Sequence, residues 1–584
     1  MSLTAATIAL NDIPYAEDVS FTSKPGCLHG TRGKILADIL SLLNGTMRDH
    51  RRRVVLLTGT AGTGKSAIAR TIAEHFHEQK RLGSSFFFDR LDDGKNHPNN
   101  VFSTIACDIA DLDSRIREKL CDVVKGNRRL RKNQSPREQF NYLILSPTKE
   151  LNTVGPIIVV LDAMDECGDE ESRKEFLDVL AKETRQLPDN FRFLLTARPD
   201  TDIVHAMGSL DFVQHIRIEN VDAKSTTMDV RAFIQNELSE VSQKPNQIWP
   251  DDHSLDALAE LSDELFIWAS TACRFIRGDG ESRGRSPDER MNLLLSGNSR
   301  KLQQIDDLYL KVLRSAFDQD DPVVMNRFRS VMGAILAAKV PLSAMALNDL
   351  FVSDVDVCAG TEWVVPSLGS LLRGTFARDA PLRILHLSFS DFLTNDSRSE
   401  GFFINLKEHP EKFTISCLSM MNQHLKRDIC AAGTSLLSNA EITNIQGRII
   451  KWEALRYGCR FFAAHLIDIP TKTESALDRV LVAFLHTILW ILAMFHTQSV
   501  LHQICNYPLQ HIWYMVGTRN QMNLLRSEVC NFLHHHLLHW IESLSLTKEL
   551  DSAVGSLESL EKWLKVCIQC IILSVLHSYD TPTE

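Results

Sequence analysis

The eight residues GTAGTGKS, from Gly59 to Ser66, contain the side chains that a phosphate-binding loop needs. Glycines let backbone amides point at phosphate oxygens, a lysine neutralises phosphate charge, and a hydroxyl group ligates magnesium. An apolar run precedes the loop and an amphipathic pattern follows it, which predicts a strand and then a helix whose N-terminus faces the same anion. We expect phosphate binding by Gly59, Thr60, Ala61, Gly62, Thr63, Gly64, Lys65, Ser66 and Ala67.

A second set of candidate residues follows the apolar run at residues 157–161. Asp162 follows this run directly. We predict that Asp162 and Ser66 are the protein ligands of Mg²⁺. Asp165 and Glu166 come three and four residues later, close enough to position and polarise an attacking water. The alternative is that these acids only end a strand in solvent. The loop GTAGTGKS earlier in the chain favours the catalytic interpretation.

Arg198 is the third candidate, because the next strand-like segment ends in LLTARPD. A guanidinium at the same edge of the sheet can read a terminal phosphate through paired hydrogen bonds and so distinguish a triphosphate from a diphosphate. The alternative is an exposed arginine before a proline turn.

Short apolar runs that alternate with amphipathic helices predict the elements that position these residues. This pattern indicates an α/β P-loop NTPase fold, a parallel sheet of about five strands with helices on both faces. Beyond the sheet, the patterns are helical, then a mixture of helices with a strand-like segment at residues 381–388, as in a winged helix, then helical again. We predict five regions: an N-terminal extension at residues 1–26, an α/β nucleotide-binding domain at 27–221, a helical subdomain at 222–300, a winged-helix-like subdomain at 301–404 and an all-helical region at 405–584.

The overall composition argues against several classes of partner. The net charge of −10 gives the 584-residue chain no electrostatic reason to bind nucleic acid or an anionic membrane. Thirteen scattered cysteines and a start without signal-peptide features indicate a reducing, cytoplasmic location. The longest apolar stretch, at residues 480–495, is shorter than the roughly 20 residues that span a bilayer, so we predict a buried helix and no membrane span.

Two other motifs have weaker chemical interpretations. The histidines of NFLHHHLLHW include His535 and His539 at the spacing of a helical metal pair, but no acid or cysteine lies at a matching distance, which favours a polar helical face. Cys567 and Cys570 form a CIQC sequence inside an apolar helical pattern, which favours buried packing over redox chemistry.

Seven segments of the chain, taken together, resemble the NACHT-type signal-transduction NTPases of fungi. They are CLHGTR, VVLLTGTAGTGKSAIARTIAEHF, FFFDR, IIVVLDAMDEC, FLLTARPD, LFIWASTACRFI and RILHLSFSDFL. The nucleotide-binding segment of that family is also described as nephrocystin-3-like. The resemblance covers about residues 27–393 by motif and continues more loosely to about residue 563. It implies a nucleotide-binding domain, a helical subdomain and a winged helix folded over a bound diphosphate. Exchange for triphosphate then opens the molecule and permits self-association.

The resemblance also implies roles for individual residues. Lys65 and Ser66 hold phosphates and Mg²⁺, Asp162 orders the metal, and Asp165 with Glu166 positions water. Arg198 is similar to the family's first sensor. His386 in HLSFSDFL matches a winged-helix histidine that contacts the diphosphate, although a lone histidine after an apolar strand is more often a core residue. Ser388 and Asp391 resemble the start of a helix, which predicts that His386 lies just before a helix N-terminus.

The sequence departs from the family in two respects. ELFIWASTACRFI lacks the proline that many relatives place against the adenine, so we expect Thr31 and Arg32 of CLHGTR to serve near the base or ribose. The WD, ankyrin or TPR repeats of many relatives are not readable, so the chain is either a complete short form or a truncated one, and a protein partner for ligand sensing is unknown.

The motifs favour a nucleotide-dependent switch that hydrolyses ATP slowly. The resemblance implies that it forms nucleotide-dependent homo-oligomers and acts in fungal non-self recognition or programmed cell death. An N-K-x-D guanine-reading tetrapeptide is absent, which favours ATP and ADP over GTP. An ATP-driven remodelling ATPase, a small-molecule kinase and a nucleotide-binding scaffold without turnover stay open as alternatives.

Overall fold

The architecture comes from a computed structural model. The structure describes residues 10, 13–16, 19–23, 25–45, 52–90, 92, 95, 97–127, 130, 135–149, 155–168, 170–241, 249–279, 284–296, 304–427, 429, 453–469, 522–547, 549–550, 552–557 and 559. The apolar stretch at residues 480–495 and the CIQC sequence lie outside these ranges.

A five-stranded parallel sheet forms the first part of the molecule, in the spatial order β2-β3-β4-β1-β5. Its strands are β1 (Val54–Thr58), β2 (Leu82–Phe87), β3 (Ile157–Asp162), β4 (Phe191–Ala197) and β5 (Val213–Arg217). Every residue of β1, β3 and β4 is buried, because alternate side chains enter two hydrophobic clusters on opposite faces of the sheet. The predicted α/β P-loop fold is confirmed.

The helices of this part cover both faces of the sheet. They are α1 (Gly33–Leu43), α2 (Lys65–Glu78), α3 (Val101–Leu112), α4 (Ser114–Gly126), α5 (Pro136–Gln139), α6 (Ser146–Thr148), α7 (Glu170–Glu183) and α8 (Thr201–Met207). A π-helical segment, Phe140–Leu145, joins α5 to α6. The buried face of α2 includes Ile68, Ile72 and Phe76, the apolar spacing that predicted this helix.

A helical part follows the sheet. It contains α9 (Ala223–Leu238), α10 (Asp252–Leu261), α11 (Phe266–Arg277) and α12 (Pro287–Leu295). Helices α10 and α11 come from one long apolar pattern, but Asp263 and Glu264 adopt positive φ angles of 47° and 66° between them. This turn starts a new helix at Phe266 and brings α11 against the phosphate loop.

The next part mixes helices with a two-stranded antiparallel sheet. Its elements are α13 (Gln304–Ala316), α14 (Pro322–Ala337), α15 (Ala344–Leu350), α16 (Val355–Ser367), β6 (Leu372–Arg373), β7 (Arg383–Ile384), α17 (Leu387–Leu393) and α18 (Asp396–Ser399). The strand predicted at residues 381–388 is wrong in length, because only two of these residues pair with β6 and α17 begins at Leu387. The winged-helix assignment stays a prediction.

The last part is helical, with α19 (His409–His424), α20 (Glu453–Ile467), α21 (Met522–Asn531), the π-helical segment Phe532–His536 and α22 (Leu537–Leu546). One continuous hydrophobic cluster joins buried side chains from Val230 to Ala553. Of the histidines at the π-helical segment, His535 is exposed and His536 donates from Nδ1 to the Leu425 carbonyl at 3.0 Å. Among the described residues, no helix is both long and apolar enough to span a membrane.

Candidate phosphate-binding site

The loop between β1 and α2 has a backbone that depends on glycine. Gly62 and Gly64 have φ angles of 84° and 91°, in the left-handed region that other residues avoid. A Cβ atom on Gly62 would lie 2.0 Å from Cγ2 of Ile267 in α11. The loop is therefore shaped by its own glycines and by close packing against the helical part of the molecule.

Lys65 is folded back over this loop. Its Nζ atom donates to the carbonyl oxygens of Gly59 at 2.7 Å and Thr60 at 2.9 Å. Burial lowers the pKa of Lys65, while the negative charges of Asp165 and Asp162 act in the opposite direction. The ammonium group thus lies within electrostatic range of both predicted acidic sites.

Asp162 is buried at the end of β3, with 2% of its surface exposed. Thr196 of the neighbouring strand β4 donates its hydroxyl to Asp162 Oδ1 and accepts a hydrogen bond from the Ala163 amide at 3.0 Å. Ala163 has a φ of 59°, so the chain turns sharply after the strand. This arrangement fixes the Asp162 carboxylate at the same sheet edge as Ser66, the first-turn residue of α2.

Asp165 and Glu166 follow in a short 3-10 turn, Met164–Glu166. Asp165 accepts a hydrogen bond from the Arg198 amide at 2.9 Å and pairs with Arg198 Nε at 3.1 Å. Glu166 accepts from the Arg90 amide at 3.2 Å. Burial, reinforced by the Asp165 charge, raises the pKa of Glu166 to about 8. The two acids therefore differ in environment, since Asp165 is paired with Arg198 while the pKa of Glu166 is raised to about 8.

Arg198 joins two parts of the molecule. Its Nη1 atom donates to Oδ2 of Asp391 in α17 at 3.0 Å, while Nε remains on Asp165. Burial alone would lower the pKa of Arg198, but the hydrogen bond to Asp391 and the charges of both aspartates outweigh that effect and raise it. The predicted sensor is at the predicted sheet edge, in an ion pair with the third part of the chain.

Arg32 lies beneath the loop. Its Nη2 atom donates to the Thr63 carbonyl at 2.8 Å, and its Nη1 atom donates to Thr226 of α9 at 3.2 Å. The guanidinium lies 4.9 Å from the ring centroid of Phe266 in α11, a cation–π contact. Thr31 donates its hydroxyl to the Leu28 carbonyl at 2.7 Å. Arg32 thus connects the loop to the helical part, and the predicted contact of both residues with base or ribose stays a prediction.

His386 is the N-cap of α17. Its Nδ1 atom accepts from the Ser388 amide at 3.1 Å, so the neutral ring carries its proton on Nε2. The Ser388 hydroxyl lies 2.7 Å from the same Nδ1 and 2.8 Å from the Tyr309 hydroxyl. The predicted position of His386 before a helix is confirmed, but the capping role given to Ser388 and Asp391 is wrong. The imidazole caps the helix itself, and Asp391 instead pairs with Arg198.

Several neighbours of the site were not predicted. Glu219 accepts from the Thr60 amide at 2.9 Å, and Arg173 donates to the Asp165 carbonyl at 3.0 Å. Thr196 had a readable signal, since it stands two residues before Arg198 in LLTARPD and strand pairing places it beside Asp162. Glu219 and Arg173 belong to no recognisable sequence motif, so their positions at the site could not be predicted before the fold was known.

The residues fit a magnesium nucleotide as a ligand. Asp162 supplies a buried carboxylate, Ser66 a hydroxyl, and the loop two glycine positions at which a side chain would be strained. Within the described ranges, no three His, Cys, Asp or Glu side chains group as a metal site. This donor set suits Mg²⁺, which uses few protein ligands and takes the rest from water and phosphate oxygens.

Comparisons with known proteins agree with the motif pattern. Residues 41–198 match the family model described as nephrocystin 3, N-terminal. The vegetative incompatibility protein HET-E-1 of Podospora anserina is 20% identical over 443 residues, which is 72% of this chain and 28% of that protein. The chain therefore spans less than a third of the length of this relative.

Two solved structures give weaker matches. The Drosophila ORC bound to DNA is 12% identical, with a TM-score of 0.28, over 63% of this chain and 80% of that one. The C. elegans PCH-2 is 12% identical, with a TM-score of 0.25, over 50% and 71%. Scores this low establish no shared overall fold. The match over residues 41–198 and the fungal relative together confirm the predicted resemblance to nephrocystin-3-like, NACHT-type proteins of fungi.

Proposed function

We propose that the chain is a nucleotide-dependent molecular switch that binds ATP and ADP with Mg²⁺ and hydrolyses ATP slowly. The observation that carries the proposal is the double ion pair of Arg198. The side chain predicted to read a terminal phosphate is bound both to Asp165 beside β3 and to Asp391 of α17. A change at the phosphate site is thereby linked to the position of the third part of the chain.

Two further contacts support a closed form. The Ile267 amide of α11 donates to the Gly62 carbonyl at 3.2 Å. Arg32 bonds both Thr63 of the loop and Thr226 of α9. Rearrangement of the loop would disturb these contacts, so loop conformation and the position of the helical part are coupled.

In the proposed bound state, the loop amides and Lys65 hold phosphates, while Ser66 and Asp162 hold Mg²⁺. The metal neutralises phosphate charge. Lys65 must give up its hydrogen bonds to the Gly59 and Thr60 carbonyls to reach a phosphate oxygen. Thr196 keeps Asp162 oriented throughout.

Glu166 would position the attacking water and accept its proton. With its pKa raised to about 8, the side chain is mostly protonated at neutral pH, and only the smaller deprotonated fraction can accept a proton. Positive charge that approaches the carboxylate would lower its pKa and favour loss of that proton. Because Glu166 is mostly protonated until then, hydrolysis should be slow, as a switch requires.

GTP stays a second candidate nucleotide, and Thr31, Arg32 and His386 are the proposed contacts to base, ribose or diphosphate. The Podospora relative is named a vegetative incompatibility protein. We propose an analogous role in fungal non-self recognition or programmed cell death, in the cytoplasm, with nucleotide-dependent homo-oligomers and a protein partner of unknown identity.

Size-exclusion chromatography with multi-angle light scattering tests the switch directly. Full-length protein with ADP and Mg²⁺ should elute as a compact, low-order species. A non-hydrolysable ATP analogue should shift wild type to a larger or more extended species. Lys65→Ala should give one elution profile in both nucleotides.

Identical wild-type profiles in both nucleotides, with nucleotide binding verified, would rule out the switch. Phosphate release then separates the remaining alternatives. Equal release by wild type and Glu166→Gln indicates a scaffold without turnover, and wild-type turnover well above about one per second indicates a remodelling machine.

A further inference from the structure

A cavity lies between the sheet and the third part of the molecule. Its volume is about 410 Å³, and its lining comes from α2, the end of β2 and the β6–β7 hairpin. The charged lining residues are Arg70, Lys95, Arg373, Arg383 and Asp89. None of residues 59–66, and none of the acids Asp162, Asp165 and Glu166, lines it. The cavity is therefore a place distinct from the phosphate loop.

The lining has a strong excess of positive charge, since four cations face one carboxylate. Arg383 is partly neutralised by Asp89 at 3.4 Å and by Asp92 at 3.6 Å. Lys95 is also 3.6 Å from Asp92. Arg70 and Arg373 have no ion pair within the described ranges of the chain.

Arg70 is the most informative of these residues. Its side chain is 9% exposed, and within the part of the chain that the structure describes its buried Nε donor has no hydrogen-bond partner. Its guanidinium lies 4.7 Å from the centroid of the Phe87 ring, a cation–π contact that leaves the N–H groups unused. A buried charged donor without an acceptor is costly. A ligand that supplies acceptors would remove that cost.

Arg373 is also repelled by the other two arginines of the cavity. Desolvation lowers the pKa of Arg373, and the positive charges of Arg70 and Arg383 lower it further. Desolvation lowers the pKa of Arg70 as well. Arg373 therefore lies within electrostatic range of both Arg70 and Arg383. An anion of several charges would relieve the repulsion, and a neutral ligand would not.

The simpler interpretation is an arginine cluster that is only structural. Stacking on Phe87 explains the position of Arg70, and the ion pairs with Asp89 and Asp92 explain Arg383. Arg373, however, comes from the opposite wall, and the structure assigns it neither a hydrogen bond nor an ion pair among the described residues. Convergence of Arg70 and Arg373 from different parts of the fold is the feature that a structural role leaves unexplained.

We propose that this cavity is a second anion site, which binds a compact soluble molecule carrying several phosphate groups. Guanidinium groups suit phosphate because they offer paired donors in a fixed plane. Since the walls come from both sides of the junction, the bound anion would hold the sheet and the third part together. The inference goes beyond nucleotide binding at the loop and does not depend on it.

The test uses full-length protein with the loop saturated by ADP and Mg²⁺, and myo-inositol hexakisphosphate as the probe. Isothermal titration calorimetry should show one saturable, salt-sensitive event. Arg373→Ala should weaken it by at least about tenfold, the effect of losing one charged hydrogen-bonding partner. Arg378→Ala is the matched control, because Arg378 is an exposed arginine of the same hairpin that pairs with Glu362 outside the cavity. It should change affinity by less than about twofold.

Raising the ADP concentration further above saturation should leave the event in the wild type unchanged, because the two ligands occupy different sites. Equal losses in Arg373→Ala and Arg378→Ala, or competition by ADP, would overturn the proposal by indicating surface binding or binding at the loop. No saturable event with the wild type would also overturn it, and intact ADP binding in that sample would leave the switch proposal standing. Vesicles with phosphatidylinositol bisphosphate separate the two sources of phosphate. Binding to vesicles without binding to the soluble probe would overturn the soluble ligand class.

Discussion

At the scale of single residues, the phosphate loop was readable and its surroundings were not. Gly62, Gly64, Lys65 and Ser66 have the spacing of a phosphate-binding loop, so sequence alone predicted a glycine-dependent turn between a strand and a helix here. The partner of Arg198 was out of reach, because Asp391 stands 193 residues away in the chain. The spacing of Ser388 and Asp391 suggested that these two residues cap the helix, but His386 is the N-cap.

Glu166 gives a pH-dependent prediction at this scale. Its pKa is raised to about 8, so between the ordinary carboxylate range and pH 8 the unfolded chain releases a proton that the folded chain keeps. The folded form therefore loses stability as pH rises through this window. Glu166→Gln removes the effect, so its apparent Tm advantage over wild type should grow by at least about 2 °C from pH 6 to pH 8.5.

Differential scanning fluorimetry at both pH values measures this difference. Glu171→Gln is the control, since Glu171 is an exposed carboxylate of the following helix. Parallel wild-type and Glu166→Gln curves across the range would show that Glu166 is ionised in the folded protein.

The Arg198–Asp391 pair gives a kinetic prediction. Asp391→Asn removes the charge that holds Arg198 to α17, while both side chains are partly exposed, so the direct loss of stability should be below about 1 kcal/mol. The opening of the closed form should become easier. We expect a fluorescent ADP analogue to dissociate about three- to tenfold faster than from wild type, measured by stopped flow.

Glu362→Gln provides the comparison, because it breaks the exposed Arg378–Glu362 pair in the same part of the chain. If both variants release ADP at the same rate, the pair at Asp391 does not control closure.

At the scale of secondary-structure elements, the strands were predictable because each is a continuous apolar run between helical patterns. The break between α10 and α11 was not visible, since Asp263 and Glu264 lack the glycine or proline that usually marks such a turn. The strand at β7 was overpredicted, because a run of apolar residues at 381–388 is equally suited to a buried loop and the start of a helix.

Helix α14 gives a prediction at this scale. Gly333 lies inside it, where alanine is ordinarily more stable by about 1 kcal/mol. Here an added Cβ would lie 2.0 Å from the ring of His409, which is buried at the start of α19. Gly333→Ala should therefore lower the apparent Tm by about 2 to 4 °C, the effect of overpacking.

Gly126→Ala is the matched control, because an added Cβ there meets no atom within 4 Å. It should leave the Tm unchanged or raise it. Adding His409→Ala to Gly333→Ala should recover part of the loss, and no recovery would mean that the ring contact is not the cause.

At the scale of the whole molecule, the later helical parts share one hydrophobic cluster that extends from Val230 to Ala553. Periodicity predicted that these segments are helical, but it carries no information about which helices share a core. Helix α11 bonds the phosphate loop at Gly62, α9 bonds Arg32, and α17 pairs with Arg198. A shared core in one body and ion pairs at its junction with the sheet are the features that a switch requires.

The central claim is that the loop at Gly59–Ser66 binds a magnesium nucleotide on which the closed form depends. Isothermal titration calorimetry of folded, nucleotide-stripped full chain with ADP and Mg²⁺ tests it most directly, with Lys65→Ala alongside. We expect one saturable site in the wild type and a loss of at least about tenfold in the variant. Absence of saturable binding of adenine or guanine nucleotides by the folded wild type, or unchanged affinity in Lys65→Ala, would contradict the claim.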